Sequence, residues 1–186
     1  LGSACVFPRL AEQPMCVDSL FNGPVEPTNE GYAMAKLAGL KMCQTYRQQH
    51  GCDFITAIPT NLYGRHDHYD PKRSHVIPAL IAKYHQAKVN GDSSVTNWGT
   101  GSPQREFLNV DDAAAACVFL LDNYSDPEPI NIAGGKEISI RELNDKIATL
   151  TGYEGTVEWD TEKPDGMPRK LLDGTRLAAM GWTPKI

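Results

Sequence analysis

Glu30-Gly31-Tyr32-Ala33-Met34-Ala35-Lys36 opens a helical pattern that continues to His50 and stops at Gly51, and Phe54-Ile55-Thr56-Ala57-Ile58 follows as a short apolar run closed by Pro59. Leu37, Leu40 and Met42 supply the apolar side of the helix. Gly51 suits the left-handed position that ends many helices, and the apolar run predicts a buried strand. Upstream, Leu1-Gly2-Ser3 has the character of a buried strand end. Residues 14–28, polar and carrying Asn22-Gly23-Pro24, form the connecting loop, with a helix cap at Thr28 or Asn29. Strand, loop, helix and strand in that order make a βαβ-like unit, which predicts a parallel sheet and an α/β fold class.

Working outward, residues 66–73 are polar and aromatic and predict a loop. Residues 75–89 predict a second helix, with Pro78 in its first turn and Ile77, Leu80, Ile81 and Tyr84 as core positions. Val110-Asp111-Asp112 opens an Ala-rich helix to Tyr124 that the carboxylates can cap. Ile130-Asn131-Ile132-Ala133 predicts a strand, and Ser139-Ile140-Arg141-Glu142 is a capping box for a helix to Thr151. Two glycine patches fail as phosphate cradles. Gly99-Thr100-Gly101-Ser102-Pro103-Gln104 is spoiled by Pro103 and Gln104, and Gly134-Gly135-Lys136 lacks the rest of a P-loop.

A chain of 186 residues with 41% hydrophobic and 22% charged residues has a globular composition. Its net charge of −5 argues against nucleic acid or an anionic membrane as partner. No apolar run reaches the length of a membrane span. The cysteines Cys5, Cys16, Cys43, Cys52 and Cys117 are scattered without CxxC spacing, which suits a reduced, cytoplasmic setting better than a disulfide framework or zinc site. His66, Asp67 and His68 are adjacent on a loop and predict solvation rather than metal binding; no metal is assigned. The start at Leu1 and the absence of a glycine-rich first turn lead to the expectation that the sequence is part of a longer chain.

Tyr32 and Lys36 stand at i and i+4, so phenol and ammonium share a helix face. A neighbouring cation favours phenolate, which draws a hydroxyl with an ordinary pKa of about 10 toward acid–base use. Ser3, the Tyr32/Lys36 pair and Pro59-Thr60-Asn61-Leu62-Tyr63-Gly64 fall at successive strand ends and helix starts, where an open parallel sheet has its ligand crevice.

The Ser…Tyr-x-x-x-Lys set resembles the extended short-chain dehydrogenase/reductase family that modifies nucleotide sugars. Within that family, Leu1-Gly2-Ser3-Ala4-Cys5, Glu26-Pro27-Thr28-Asn29-Glu30, Ser74-His75-Val76-Ile77-Pro78, Arg105-Glu106-Phe107-Leu108-Asn109-Val110-Asp111-Asp112, Lys163-Pro164-Asp165-Gly166 and Pro168-Arg169-Lys170-Leu171-Leu172-Asp173 are similar to the branch that epimerises and reduces GDP-4-keto-6-deoxy-mannose. The resemblance implies a partial Rossmann-type parallel sheet with a smaller α/β substrate lobe. Residues 1–64 and 104–133 would be the remaining dinucleotide-binding domain, and 65–103 and 134–186 the lobe. It implies NADP(H) as cofactor, a GDP-sugar substrate and a homodimer through the Tyr32/Lys36 helix.

By the same resemblance, the catalytic set is Ser3, Cys5, Tyr32, Lys36 and His75, with Cys5 as base and His75 as acid at carbons beside the ketone. Cofactor contacts fall to Leu1, Gly2, Ser3, Ala4, Tyr32, Lys36, Pro59, Thr60, Asn61, Leu62 and His75. Substrate contacts fall to Lys83, Trp98, Arg105, Asp165 and Lys170. Lys83 stands where the family pattern has Arg, and Ala4 where a second Ser is usual. Two rival expectations remain open: another nucleotide-sugar epimerase or dehydratase of the same fold, and a non-catalytic chain that only dimerises.

Overall fold

The computed structural model describes residues 1–70 and 73–186; Pro71 and Lys72, in the loop expected at 66–73, lie outside the described residues. In chain order the regular elements are α1 (Glu30–His50), β1 (Ala57–Pro59), β2 (Asn61–Tyr63), α2 (Val76–Asn90), β3 (Ser94–Trp98) and β4 (Gln104–Asn109). There follow α3 (Val110–Asn123), β5 (Ile130–Ile132), β6 (Glu137–Ser139), α4 (Ile140–Thr151), β7 (Thr156–Asp160), β8 (Arg169–Lys170) and α5 (Thr175–Ala179). A short 3-10 turn at Ala4–Val6 precedes them. The chain is α/β with parallel strand pairing, and it forms two compact units: Leu1–Leu62, Glu106–Lys136 and Lys170–Ile186 in the first, Tyr63–Arg105 and Glu137–Arg169 in the second.

In the first unit β1 pairs in parallel with β5, Ala57 opposite Ile130 and Pro59 opposite Ile132. Successive strand residues face opposite sides of a sheet. Ile58 accordingly joins Ala33, Leu37 and Leu40 of α1 in one apolar cluster, while Ala57, Ile130 and Ile132 join Ala113, Ala116 and Leu120 of α3 in another. Helices cover both faces, which is why a sheet this narrow is wholly buried, as parallel pairing requires. The segment 170–186, expected in the second lobe, belongs to the first unit. Leu172 enters the α1 cluster and Leu177 the α3 cluster, so apolar burial decides its place.

In the second unit β3 pairs in parallel with β7, Ser94 opposite Thr156. Tyr84 of α2 and Tyr153 pack with ring centroids 5.4 Å apart. A buried polar cluster holds the unit together: the Tyr84 hydroxyl donates to Asn144 Oδ1, and Asn97 Nδ2 donates to the Tyr84 oxygen at 2.9 Å and to Asn144 Oδ1 at 2.7 Å. In a low-dielectric interior such a mutually satisfied set specifies one packing. Burial is the first reason the Tyr84 hydroxyl is pushed up, with the two asparagines pulling against it.

Several local expectations need correction. Residues 54–56 form no strand; Phe54 faces solvent, and the ladder begins at Ala57. Leu1-Gly2-Ser3 is not a ladder strand. It lies along β1 through one backbone bond, Gly2 N–H to Ala57 O at 2.7 Å, and a Cβ on Gly2 would stand 3.0 Å from Ile58 Cγ1. Met42 is exposed rather than core, and Ile77 and Ile81 are only partly buried. Asn29 sits at the α1 cap without a side-chain capping bond. The α3 cap is Asn109, whose side chain accepts from Asp111 N–H at 2.8 Å; Asp112 is buried and accepts from the N–H groups of Lys185 and Ile186. The capping box at Ser139 and Glu142 forms as expected.

Candidate active site

The first unit gathers most of the expected chemistry around the start of the chain. α1 begins at Glu30, so Tyr32 and Lys36 lie in its first two turns, on one face. Lys36 Nζ is 5.7 Å from the Tyr32 ring centroid and donates to the carbonyl of Leu1 at 3.2 Å. The tyrosine remains half exposed. Ser3 caps the Ala4–Val6 turn: its hydroxyl oxygen accepts from Cys5 N–H at 3.3 Å, which leaves its own O–H to donate elsewhere. Ala4 and Val6 are buried in the α1 cluster, so the turn is anchored on both sides of Cys5, whose side chain is partly buried against that cluster. Lys170 reaches the same place, with Nζ 3.5 Å from Cys5 Sγ.

Pro59, Thr60, Asn61 and Leu62 leave β1 at its C-terminal end. Thr60 N–H donates to Ile132 O at 3.1 Å, and Asn61 Nδ2 donates to the Glu106 carbonyl at 2.9 Å. The segment thus passes from the end of β1 through Thr60 into β2, hydrogen-bonded on the way, at a strand end where ligands meet an open parallel sheet.

The second unit carries the other expected residues. His75 occupies the cap position of α2 with extended backbone, makes no capping bond, and is exposed. Lys83 Nζ donates to the Thr96 carbonyl and to Asn97 Oδ1 at 2.8 Å, so two of its three donors are spent within the unit, and desolvation pushes its pKa down. Trp98, at the end of β3, is 75% exposed with Lys163 Nζ 5.9 Å from its ring centroid. Arg105 Nη1 donates to the carbonyls of Gln104 at 2.8 Å and Met167 at 2.6 Å. Burial lowers the Arg105 pKa while the Asp165 charge raises it. Asp165 serves a loop: it accepts from Thr100 N–H at 2.9 Å and from the Thr100 hydroxyl at 2.7 Å, and these bonds hold its carboxyl below the usual range.

Glu106 is a residue the motif reading passed over. It is fully buried, with Oε1 accepting from Gly135 N–H at 2.8 Å and Oε2 from Leu172 N–H at 3.3 Å. Burial pushes its carboxyl up, against the pull of those bonds. A signal was available: Glu106 shares strand parity with the core residue Leu108 on β4, so a period of two places its side chain inward. Among the described residues no cluster of three or more His, Cys, Asp or Glu could hold a metal ion, and no helix is long and apolar enough to cross a membrane.

A parallel α/β unit whose Tyr-x-x-x-Lys helix meets the Leu1 carbonyl is the setting in which the comparisons place this chain. The chain belongs to the NAD dependent epimerase/dehydratase family, whose model matches residues 1–133. Among curated relatives it is 56% identical to GDP-L-fucose synthase 1 of Arabidopsis thaliana, aligned over all of this chain and 58% of that one. It is 48% identical to GDP-L-fucose synthase of Escherichia coli, covering 61% of that protein. The chain thus spans about three-fifths of the length of these relatives. Among solved structures, a GDP-L-fucose synthetase from Naegleria fowleri bound to NADP superposes with a TM-score of 0.93 at 31% identity, over 99% of this chain and 59% of that one.

Proposed function

We propose that this chain carries the catalytic groups of an NADPH-dependent enzyme that epimerises and reduces GDP-4-keto-6-deoxy-D-mannose to GDP-L-fucose. The observation that supports it best is Cys5, held two residues after Ser3 in a turn packed against the Tyr32/Lys36 helix, with whole-chain similarity to GDP-L-fucose synthases. Protons beside a ketone can be removed by a modest base once the enolate oxygen is stabilised. Cys5 takes such a proton, the C–H electron pair passing into the enolate, and His75 serves as the acid that returns one. Ser3 and Tyr32 donate to the ketone oxygen, and Tyr32 protonates it when reduction follows.

The residues present fit the nicotinamide side of NADP(H): Lys36 donates to the Leu1 carbonyl, and the neighbouring Gly2 N–H donates to Ala57 O of β1. The bound cofactor would supply hydride to the ketone carbon. Leu1, Gly2, Ala4, Thr60, Asn61 and Leu62 line that side, and Lys36 orients the ribose. The two glycine patches are occupied by Asp165 and Glu106, so neither serves the pyrophosphate. Trp98 offers an exposed face for the GDP base, and Arg105, Lys83 and Asp165 serve its polar groups. The second unit with these residues is the substrate lobe in this reading. Exposed Met34, Met42 and Tyr46 on α1 form the apolar surface of a homodimer through the Tyr32/Lys36 helix, and five free thiols suit the cytoplasm.

The test is deuterium uptake from solvent into GDP-4-keto-6-deoxy-D-mannose, read by mass spectrometry, with light scattering on the same sample. Uptake that is lost in Cys5→Ser and His75→Asn supports the assignment; uptake that survives both variants sinks it. A purely monomeric mass would remove the dimer.

A further inference from the structure

Lys170 stands apart from the other cations of the first unit. Its ammonium has one protein partner among the described residues, the sulfur of Cys5 at 3.5 Å, and no carboxylate pairs with it. The backbone that carries it is tied down immediately afterwards. Leu171 N–H donates to Gln13 Oε1 at 2.8 Å, the Leu171 carbonyl accepts from Met15 N–H at 2.8 Å, Leu172 N–H donates to Glu106, and Asp173 N–H donates to the Met15 carbonyl at 3.0 Å. On the other side, Cys5 is held by the Ser3 cap and by buried Ala4 and Val6. Both partners are thus fixed at their backbones before any ligand arrives.

We propose that Lys170 is a positioning residue for Cys5, an ammonium that hydrogen-bonds the sulfur and aims it as the base. The proposal rests on the reading of Cys5 above and deepens it. A thiolate, not a thiol, removes protons, and cations next to sulfur favour it. When Cys5 sulfur takes H⁺ from the substrate carbon, it becomes neutral S–H, and Lys170 keeps its own three protons throughout. Lys36, on α1, is already engaged at the Leu1 carbonyl. The ammonium that motif reading gives to a diphosphate is, in the fold, a partner of the thiol.

The test is alkylation of the intact chain by iodoacetamide across a pH series, with the Cys5 and Cys117 peptides quantified separately by mass spectrometry. In the unmodified sequence Cys5 should react faster than Cys117 at about pH 7. Lys170→Met should slow Cys5 about tenfold at about pH 7, with Cys117 unchanged, whereas Lys170→Arg should stay within about threefold. Equal Cys5 rates in the parent and Lys170→Met chains would overturn the proposal, as would an equal loss in Lys170→Arg. If the Met variant loosens the fold, the parent chain still decides: a Cys5 profile that superposes on Cys117 rejects the proposal. This readout needs neither cofactor nor sugar, so its failure leaves Cys5 as base untouched and is separate from a failure of deuterium uptake.

Discussion

Two carboxylates each fasten a glycine patch, and they do so under opposite conditions. Glu106 in the first unit is fully buried and holds Gly135 and Leu172 by their N–H groups. Asp165 in the second is exposed and holds Thr100, between Gly99 and Gly101. Both patches need glycine for the same reason, close approach: a Cβ on Gly134 would stand 2.2 Å from the Phe107 carbonyl, and one on Gly99 would stand 2.3 Å from Asp165 Oδ1. The electrostatics diverge. Burial dominates at Glu106 and raises its pKa, whereas hydrogen bonds dominate at Asp165 and lower it. The difference teaches that donors favour the ionised carboxylate at both sites, and that loss of water decides whether they win.

The largest effect should come from Glu106→Ala. It leaves the buried N–H groups of Gly135 and Leu172 without acceptors, at a cost of about 3 kcal/mol, read as a lower urea midpoint. An unchanged midpoint would mean that water replaces the carboxylate and that the buried clasp is no stronger than the exposed one.

The second test is the sign of the pH response. Glu106 has a raised folded pKa, so its contribution is full below the ordinary value of 4.5 and declines as pH rises through the folded value. Asp165 has a lowered folded pKa, so its contribution is present above the ordinary value of 3.8 and is lost as pH falls through the folded value. Urea unfolding across pH, compared with Glu106→Gln and Asp165→Asn, should show the Glu106 contribution declining toward higher pH and the Asp165 contribution declining toward acid. A common direction at both sites would break the comparison.

The smallest effect should follow Gly99→Ala. Gly99 has φ +77°, and the new methyl would displace only the end of the Asp165 side chain. Faster exchange at Thr100 with little change in the unfolding midpoint is expected; a midpoint loss matching that of Glu106→Ala would show that the exposed clasp carries global stability.

Much of the fold was legible because it follows local periodicity. The apolar spacing of α1 and its Gly51 stop, Pro78 in the first turn of α2, and the Ser139/Glu142 capping box are all interactions within a few residues, and all form. β3 and β7 were not anticipated. Their exposed–buried alternation is carried by Thr, Asn and Glu as much as by apolar residues, and each is stable only through its partner some sixty positions away. The exposed Met42 and the partly buried Ile77 and Ile81 mark the same limit, since helix periodicity names a face but not what covers it.

At the site, residue types and spacing alone placed Tyr32 above Lys36 on one helix face and Ser3 two positions before Cys5, because i to i+4 and short-turn geometry are properties of the backbone. Dismissing both glycine patches as phosphate cradles was likewise a matter of sequence order. Which carboxylates fill those patches was not, because Glu106 meets Gly135 from 29 residues away and Asp165 meets Thr100 from 65. Nor could spacing tell that Lys170 would come to rest on Cys5, 165 positions earlier. Local sequence determined the helices, the Gly51 stop, the Ser139/Glu142 capping box and the shared face of Tyr32 and Lys36 on α1. Only tertiary packing decided which charges are neutralised, which are buried, and which cation faces the thiol, because those depend on water excluded by segments distant in the chain.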